Sequence, residues 1–386
     1  MKKNVLFVVD ERKMGGVSIL LKDILEIFDY KKYKIDVLVL HNNGECLNDI
    51  NKNVNLIYGT KFFETVDYNL KDLIKNRKIS LIIKKIYLVL LMKSGLIKEK
   101  IKKERKKIFN NDNYDIEIAF KDGFTAIFTM YGPSKKKIHW LHYEYKKYNS
   151  NGNYPKLFND ILPKFDKIVA VSKGVMDDFN EIYHLEDKTI VIENLIDTNR
   201  IKEKSKDNVS RKLKKDKINI VCVGRLHKQK GYDRLIRSVN RLEKKEQDKI
   251  NIEIYGDGLE KESLKDMINK YNLKNINLKG KVENPYKYII DNDLFILPSI
   301  YEPFGLVIVE SMILKVPVLA CKNSATGKLI NNKNNGYIVE NSEEGLYSGL
   351  KFLINNPDEL KKYKKNLKKY KYDNDKIINQ IKDLLN

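Results

Sequence analysis

The sequence predicts an α/β fold with two domains, each built on a mainly parallel sheet flanked by helices. Its 386 residues are enough for two or three domains. Short apolar runs typical of buried strands alternate with helical patterns, as they do in parallel α/β sheets. This alternation occurs twice, and the highly charged stretch 200–217 lies between the two series, as a linker lies between domains. We therefore place the first domain at 1–204 and the second at 205–370.

Composition excludes several classes of protein. Hydrophobic residues make up 42% of the chain, which is enough for packed cores. Cys46, Cys222 and Cys321 have no paired spacing, so we expect no disulfide framework or zinc knuckle, and a reducing compartment. The N-terminal residues lack the pattern of a signal peptide, and the longest apolar run, 86–92, is too short to cross a bilayer. We expect a cytoplasmic protein, peripheral on the inner membrane face if it meets a membrane.

The chain is strongly basic, with a formal net charge of +22. Such charge attracts nucleic acids or anionic membranes. Most of the basic residues are Lys, and Arg, which makes the bidentate contacts to bases, is scarce. We therefore attribute most of the excess charge to a Lys-rich composition and expect no nucleic-acid partner.

The first half predicts a series of strands whose ends carry the candidate residues. The predicted strands are 4–9, 35–40, 54–58, 114–120, 137–142, 167–172 and 189–194. Gly15 and Gly16 open a helix after the first strand, where two glycines let a ligand approach the backbone closely; an ordinary strand-to-helix turn explains them equally well. His142 lies at the C-terminal end of its strand, the edge that lines ligand crevices in open α/β sheets, although a lone His is more often structural.

A helical insertion at about 69–110 interrupts the alternation of the first half. Apolar residues recur there at helical spacing, at Ile82, Ile83, Ile86, Val89 and Leu90. Between Lys84 and Lys107 there are ten basic residues and two acids. The pattern indicates an amphipathic basic helix or helix pair, which could dock on an anionic membrane or pack its apolar side on the sheet.

The second half predicts a similar series, with strands at 218–223, 251–255, 276–278, 293–298, 316–321 and 336–339. Arg225 and Lys230 flank the loop after the first of these strands. Each can neutralise a diphosphate, Arg through a fork of donors and Lys as a point charge. In so basic a chain, an exposed surface charge is the alternative for both.

The stretch 297–311 contains the largest group of candidate functional residues. A buried strand ends, Pro303 and Gly305 break the pattern, and the helix Leu306–Ile313 begins with unpaired backbone N–H groups, which favour an anion. Glu302 and Glu310 would repel a phosphate but can accept hydrogen bonds from hydroxyl groups, as acids do from ribose. A ligand with a phosphate and several hydroxyls suggests a nucleotide sugar. An ordinary strand–helix unit with two solvated acids remains the alternative.

This stretch resembles the signature of the family-4 retaining glycosyltransferases of GT-B fold. The resemblance rests on Glu302 and Glu310 with seven residues between them, on Pro303-Phe304-Gly305 within that interval, and on the strand 317–320 that follows. It implies two facing Rossmann-like domains with a cleft between them, and a C-terminal helix at 371–386 that crosses back to the first domain. It also implies retention of the anomeric configuration, without a metal or other cofactor.

The resemblance implies a role for each candidate residue. The catalytic residues would be Glu302, Arg225, Lys230 and His142. The donor-binding residues would be Gly16, Gly224, Arg225, Lys230, Val282, Glu302, Phe304, Gly305, Leu306, Val307 and Glu310. Two positions depart from the family pattern, since Tyr143-Glu144 follow His142 and Lys328 stands where the family has an acid.

The expected reaction is the transfer of a hexose or N-acetylhexosamine from a nucleoside diphosphate sugar, with UDP as the expected nucleotide. The acceptor would be a saccharide or a lipid-linked sugar in cell-surface polysaccharide or glycan synthesis, and the basic segment 84–107 could meet an anionic membrane. The alternatives are a sugar-nucleotide epimerase or a phosphorylase of the same fold, a basic nucleic-acid-binding protein, and an inactive scaffold subunit.

Overall fold

A computed structural model describes residues 2–11, 16–41, 50–66, 68–146, 155–209 and 213–386. The chain forms two compact units. Met1–Leu195 and Asn374–Asn386 form the first unit, and Ile196–Asp373 forms the second.

The first unit holds a parallel sheet of seven strands in the order β3-β2-β1-β4-β5-β6-β7, counted over its described residues. The strands are β1 (Lys3–Glu11), β2 (Tyr33–His41), β3 (Val54–Tyr58), β4 (Ile116–Ala119), β5 (Lys136–Leu141), β6 (Lys167–Ala170) and β7 (Thr189–Val191). The helices are α1 (Gly16–Glu26), α2 (Leu70–Lys75), α3 (Ile79–Ser94), α4 (Ile97–Ile108), α5 (Phe124–Met130), α6 (Pro155–Ile161), α7 (Lys173–Tyr183) and α17 (Asn374–Leu385). The central strand β4 is buried along its whole length, because helices cover both faces of a parallel sheet.

The helix α17 belongs to the first unit although it follows the whole second unit in the chain. Its apolar face is buried, at Ile377, Ile381, Leu384 and Leu385. Lys3 Nζ donates to the carbonyl oxygen of Leu385 at 2.8 Å and to that of Asn386 at 3.1 Å, and a cation at a helix C-terminus is favourable. Gln380 Nε2 donates to the carbonyl oxygen of Val191 at 3.2 Å, so α17 also contacts the edge strand β7.

The predicted insertion consists of α2, α3 and α4. The predicted apolar stripe of α3 does not pack on the sheet: Ile83, Ile86 and Leu90 are exposed, and Ile82 and Val89 are half-buried. The buried face of α3 consists of Lys85, Leu88, Leu91 and Met92. The helix has apolar residues on both faces, so periodicity alone could not show which face packs inward. No helix in the described ranges has the length and hydropathy that a membrane crossing requires.

The second unit holds a parallel sheet of six strands in the order β10-β9-β8-β11-β12-β13, over its described residues. The strands are β8 (Ile218–Val223), β9 (Ile250–Tyr255), β10 (Ile276–Gly280), β11 (Leu294–Leu297), β12 (Val318–Cys321) and β13 (Gly336–Val339). The helices are α8 (Thr198–Ser205), α9 (Tyr232–Asn240), α10 (Lys244–Gln247), α11 (Lys261–Lys270), α12 (Tyr286–Ile289), α13 (Leu306–Ile313), α14 (Thr326–Leu329), α15 (Glu343–Asn355) and α16 (Pro357–Leu367).

The charged stretch that we interpreted as a linker begins with a helix, α8. Asp197 caps it by accepting a hydrogen bond from the amide of Arg200 at 2.8 Å. Ile201 and Ser205 are buried, and α8 packs against α12 and α13 within the second unit. One buried Ile in eight residues produces no apolar periodicity, so the sequence pattern indicated a linker where a helix forms.

The order of strands reverses at one place in each sheet. In the first sheet it lies between β1 and β4, and in the second between β8 and β11. Loops diverge to opposite faces at such a point and leave a crevice outside the carboxyl ends of the strands, where ligands bind in open α/β sheets. The loops after these four strands therefore border the crevices of the two sheets.

Candidate active site

The candidate site in the second unit is built from the loops that follow β8 and β11. Backbone and side-chain contacts hold the two loops together. The amide of Ile300 donates to the carbonyl oxygen of Gln229 at 2.8 Å, and Gln229 Nε2 donates to the carbonyl oxygen of Tyr301 at 3.1 Å. Residues 228–230 and 299–302, about seventy positions apart in the chain, thus form one structure.

Lys230 and Glu302 form an ion pair at the centre of this structure. Lys230 Nζ lies 2.6 Å from Glu302 Oε2, and the side chains are 14% and 12% exposed. Ser299 Oγ also donates to Glu302 Oε2, at 3.3 Å. The pair brings together two of the four predicted catalytic residues, and it balances the charge of Lys230 while no anion is bound.

Close backbone packing positions Lys230. The next residue, Gly231, has a left-handed conformation with φ of 65°, and a Cβ atom at this position would lie 2.3 Å from the carbonyl oxygen of Pro298. Arg234 Nη2 donates to the same carbonyl at 2.6 Å, and its Nη1 donates to Asn341 Oδ1 at 2.9 Å. The β8 loop therefore lies directly on the β11 loop, and this contact requires a glycine.

The β11 loop ends at the N-terminus of α13. Gly305 caps the helix in the left-handed conformation, with φ of 85°, and no side chain accepts a hydrogen bond from the first turn within the described part of the chain. Phe304 is buried, and Leu306 and Val307 are half-buried. The positive end of the helix dipole and its first amides are therefore available to an anion.

Glu310 lies one turn further along α13. Tyr286 Oη donates to Glu310 Oε1 at 3.2 Å, and Tyr286 itself is 6% exposed. The phenol of α12 thus holds one carboxylate oxygen of Glu310, which is half-buried. This contact orients an acid that can accept hydrogen bonds from ligand hydroxyls.

Arg225 lies in the β8 loop and is exposed. Its guanidinium makes no hydrogen bond or ion pair with any residue for which the structure gives a position. Its neighbour Gly224 lies against Tyr232, whose Oη would be 2.9 Å from a Cβ atom at position 224. Arg225 therefore adds a second positive charge to the loop that carries Lys230. Among the described residues, no carboxylate pairs with its guanidinium.

The remaining predicted positions of the second unit lie in other loops. Val282 follows β10 and is half-buried, and Lys328 lies in the short helix α14 and is exposed. Within the described residues, no group of three or more His, Cys, Asp and Glu side chains could hold a metal ion.

His142 belongs to the first unit and lies directly after β5. Its side chain is 6% exposed, its ring packs edge-on against Phe120, and its Nε2 atom has no hydrogen-bond partner among the described residues. Burial, together with His139 and Lys121, lowers the pKa of His142 to about 3. The imidazole is therefore neutral at physiological pH.

Asp122 fixes the backbone at His142. Its Oδ2 atom accepts a hydrogen bond from the amide of His142 at 2.9 Å, and burial raises the pKa of Asp122 to about 7. The adjacent Lys121 pairs with Asp10 at the end of β1, with a distance of 2.7 Å. These contacts connect the carboxyl ends of β1, β4 and β5 at the crevice of the first sheet. Gly16 is the first residue of α1, whereas Gly15 lies outside the described residues.

Four residues that support the site were not among those predicted from the sequence, namely Ser299, Tyr286, Arg234 and Asp122. Arg234, Tyr286 and Asp122 are positioned by contacts with residues twenty or more positions away in the chain. Ser299 could have been found, because it lies two residues after the buried strand β11, at the carboxyl edge of the sheet. Tyr286 and Arg234 lie on helices whose patterns show only core packing, so their roles needed the structure.

Comparisons with known proteins show which family this chain resembles. The family described as glycosyl transferases group 1 matches residues 203–370. The Campylobacter jejuni enzyme N-acetylgalactosamine-N,N'-diacetylbacillosaminyl-diphospho-undecaprenol 4-alpha-N-acetylgalactosaminyltransferase is 32% identical over 228 residues, which are 58% of this chain and 60% of that enzyme. An uncharacterized glycosyltransferase of Haemophilus influenzae is 30% identical over 260 residues, which are 65% of this chain and 69% of that protein.

Among solved structures, HepE of Anabaena in complex with UDP and glucose matches this chain with a TM-score of 0.70 and 18% sequence identity. The match covers 99% of each chain. At this identity the likeness concerns the fold, and it extends over both units.

Proposed function

This chain belongs to the group 1 glycosyltransferases, and from that premise we propose that it transfers a hexose or N-acetylhexosamine from a UDP-sugar to a saccharide or lipid-linked acceptor. Its two parallel sheets and its likeness to HepE confirm the predicted GT-B fold. The complex of HepE with UDP and glucose supports UDP as the nucleotide. The Campylobacter relative is named as an enzyme that acts on a diphospho-undecaprenol acceptor. This similarity supports a lipid-linked acceptor in glycan synthesis. We place the reaction in the cytoplasm.

One observation carries the proposal, namely the meeting of Lys230, Glu302 and the N-terminus of α13 at the crevice of the second sheet. Cations and free amides suit a diphosphate, and a carboxylate beside them suits sugar hydroxyls. In the proposed complex, Arg225, Lys230 and the amides of Leu306 and Val307 hold the diphosphate. The backbone at Gly224 and Gly305 allows its close approach.

Four further residues complete the proposed donor site. Glu302 accepts hydrogen bonds from the hydroxyls of the donor sugar, and Glu310, oriented by Tyr286, accepts them from the ribose. Val282 and the adjacent backbone lie beside the base. Gly16 of the first unit, at the start of α1, contributes its backbone to the donor site in the way the family resemblance implies.

The proposed reaction breaks the bond between the anomeric carbon and the diphosphate oxygen, and the leaving diphosphate keeps the electron pair. Negative charge grows on the diphosphate, where fixed donors stabilise it, each typically worth about 3 kcal/mol. The acceptor hydroxyl attacks the same face of the sugar and passes its proton to an oxygen of the departing phosphate, so the anomeric configuration is retained. Fixed cations and amides supply the charge that a metal ion supplies in other enzymes.

His142 has a different part in this proposal. Because its imidazole is neutral and its Nε2 atom has no partner among the described residues, it can exchange a hydrogen bond with a donor hydroxyl without adding charge. Asp122 keeps the backbone of His142 in place. We therefore assign His142 to positioning of the donor sugar near the reacting centre.

The test combines ligand binding with turnover. A panel of UDP, GDP and ADP sugars is screened by thermal shift, since a bound ligand raises the apparent melting temperature. Lys230→Met and Arg225→Met should each lower transfer from the best donor by roughly a hundredfold.

Lys322→Met is the matched control for this test. Lys322 follows β12, is 69% exposed and lies 3.9 Å from Glu340, so its loss should leave turnover unchanged. Full activity of Lys230→Met would reject the diphosphate assignment. Conversion of the donor sugar in the absence of any acceptor would favour an epimerase instead.

A further inference from the structure

The insertion of the first unit exposes an unusual concentration of apolar side chains. Ten large hydrophobic residues are exposed in the described parts of the chain, and seven of them lie between positions 74 and 96. Their exposed fractions range from 44% to 70%, and they are Ile74, Ile79, Ile83, Ile86, Tyr87, Leu90 and Leu96. Scattered single exposures are normal on a protein surface, whereas a contiguous patch marks a site of interaction.

Five of these residues lie on one face of α3. They are Ile79, Ile83, Ile86, Tyr87 and Leu90. At about 100° per residue they occupy an arc of about 100° along the helix. The opposite face packs inward through Leu88, Leu91 and Met92. The exposed arc is therefore a continuous apolar stripe, and the buried residues on the opposite face hold the helix in place.

Positive charge surrounds the stripe. Residues 71–107 contain fourteen Lys and Arg and three Asp and Glu. Basic side chains at both ends of α3 are exposed, at Lys75, Arg77, Lys78, Lys93 and Lys98. An apolar helix face bordered by lysines has the composition of helices that lie in the interface of anionic membranes, with their lysines among the headgroups.

The same charge argues against a second copy of the chain as the occupant of this surface. A twofold-related copy would bring two such basic segments together around the stripe, and like charges that face each other are costly. An anionic bilayer supplies both an apolar layer for the stripe and negative charge for the lysines. Helix α3, at sixteen residues, is too short to cross the bilayer, so it would lie parallel to the surface.

We propose that α3 docks the protein on an anionic lipid surface, with the stripe of Ile79, Ile83, Ile86, Tyr87 and Leu90 in the acyl boundary and the flanking lysines at the phosphates. Tyr87 suits a position at the boundary between acyl chains and headgroups, because aromatic side chains with one polar end are enriched at the membrane interface. The inference deepens the proposed use of a lipid-linked acceptor, and it rests on that proposal only for its biological purpose, because the surface itself needs no catalysis.

The test measures binding to vesicles without donor or acceptor. The full chain is sedimented with vesicles of phosphatidylglycerol and phosphatidylcholine, and with phosphatidylcholine alone. The double variant Ile83→Ser/Leu90→Ser should lose at least roughly tenfold in affinity for the anionic vesicles, since two exposed aliphatic side chains no longer enter the lipid. Its far-UV circular dichroism and thermal midpoint should match those of the parent, because both residues are exposed.

Leu259→Ser is the matched control, because Leu259 is 88% exposed and lies in the second unit. This variant should bind vesicles as the parent does. Lys93→Ala/Lys98→Ala should weaken binding by roughly fivefold for each lysine on anionic vesicles only. All of these variants should bind UDP and transfer to a soluble acceptor as the parent does, so failure of this inference and failure of the proposed reaction are distinguishable.

Two results would overturn the proposal. Equal vesicle binding by the parent and by Ile83→Ser/Leu90→Ser would show that the stripe does not enter lipid. Absence of vesicle binding by the parent, together with a change from dimer to monomer in Ile83→Ser/Leu90→Ser on size-exclusion chromatography, would assign the stripe to a second copy of the chain.

Discussion

Lys230 and Glu302 balance each other's charge while the site holds no anion. The pair is 2.6 Å long and mostly buried, so neither group is free to act alone. A diphosphate that approaches Lys230 also approaches the carboxylate of Glu302, which repels it. At the scale of single residues, donor binding is therefore a competition between a diphosphate and Glu302 for one ammonium group.

This competition makes a prediction for Glu302→Gln. The amide cannot form the ion pair, so Lys230 becomes available, and UDP should bind about three- to tenfold more tightly, a gain of about 1 kcal/mol. Turnover with the UDP-sugar should fall, because the amide holds the sugar hydroxyls less strongly than the carboxylate does. Isothermal titration with UDP and an initial-rate assay measure the two effects separately.

Glu344→Gln is the control for this experiment. It breaks an ion pair of the same length, between Arg241 and Glu344, at the start of α15, and UDP affinity should not change. Weaker binding of UDP by Glu302→Gln would mean that Glu302 holds Lys230 in its binding position rather than competing for it.

At the scale of elements, the site depends on how closely two loops pack. The turn Lys228–Lys230 ends at Gly231, and the carbonyl of Pro298 lies where a side chain at this position would begin. The ion pair between Lys230 and Glu302 forms because the β8 loop can approach the β11 loop to this distance.

We therefore expect Gly231→Ala to be more harmful than Gly280→Ala in the same unit. It combines a left-handed conformation with a contact of 2.3 Å, and we expect a loss of about 2 kcal/mol or more in the free energy of unfolding. Gly280→Ala has the left-handed conformation without a close neighbour and should cost about 1 kcal/mol. Urea unfolding followed by circular dichroism gives all of these values.

Gly327→Ala completes the series, because position 327 has neither feature and lies in α14. It should be neutral or stabilising by up to about 1 kcal/mol. Equal losses at positions 231 and 280 would show that the contact with Pro298 relaxes at little cost.

Elements are also the scale at which the sequence was most informative. The helix Leu306–Ile313 and the strands Val54–Tyr58 and Ile218–Val223 have the bounds that apolar patterns and chain breakers predicted. Prediction failed for α8, where one buried Ile among charged residues leaves no periodic signal. For α3 the sequence left the orientation open, because both faces of that helix are apolar and only tertiary packing selects the inner one.

Within the candidate site, local pattern predicted the residue types but not their contacts. Lys230 and Glu302 stand out in their loops, yet their ion pair depends on β8 and β11 being neighbours in the sheet, which no local pattern encodes. The same limit applies to Tyr286 and Glu310, which lie on two different helices.

At the scale of the whole molecule, the first unit is assembled from two separate segments of the chain. Trp140, the single Trp of the sequence, lies in its core at 1% exposure. Its fluorescence therefore reports the unfolding of this unit. Helix α17 contributes to the same unit through Ile377, Ile381, Leu384 and Leu385.

We predict that Ile381→Ala lowers the urea midpoint of the Trp fluorescence transition. Ile381 is 2% exposed, and its truncation should cost about 2–5 kcal/mol. Asp383→Ala, on the exposed side of the same helix, should leave that midpoint in place. An unchanged fluorescence transition in Ile381→Ala would show that α17 does not stabilise the sheet around Trp140.

The late position of α17 has a consequence for synthesis on the ribosome. After Leu195 emerges, the ribosome must make the whole of Ile196–Asp373 before α17 appears, which takes on the order of ten to forty seconds at bacterial rates of translation. During this interval the nascent first unit exposes the apolar surface that α17 later covers. The second unit is one continuous segment, so it can fold before the first unit is complete. A chaperone that binds exposed apolar segments of the nascent chain should therefore stay bound longest to the first unit.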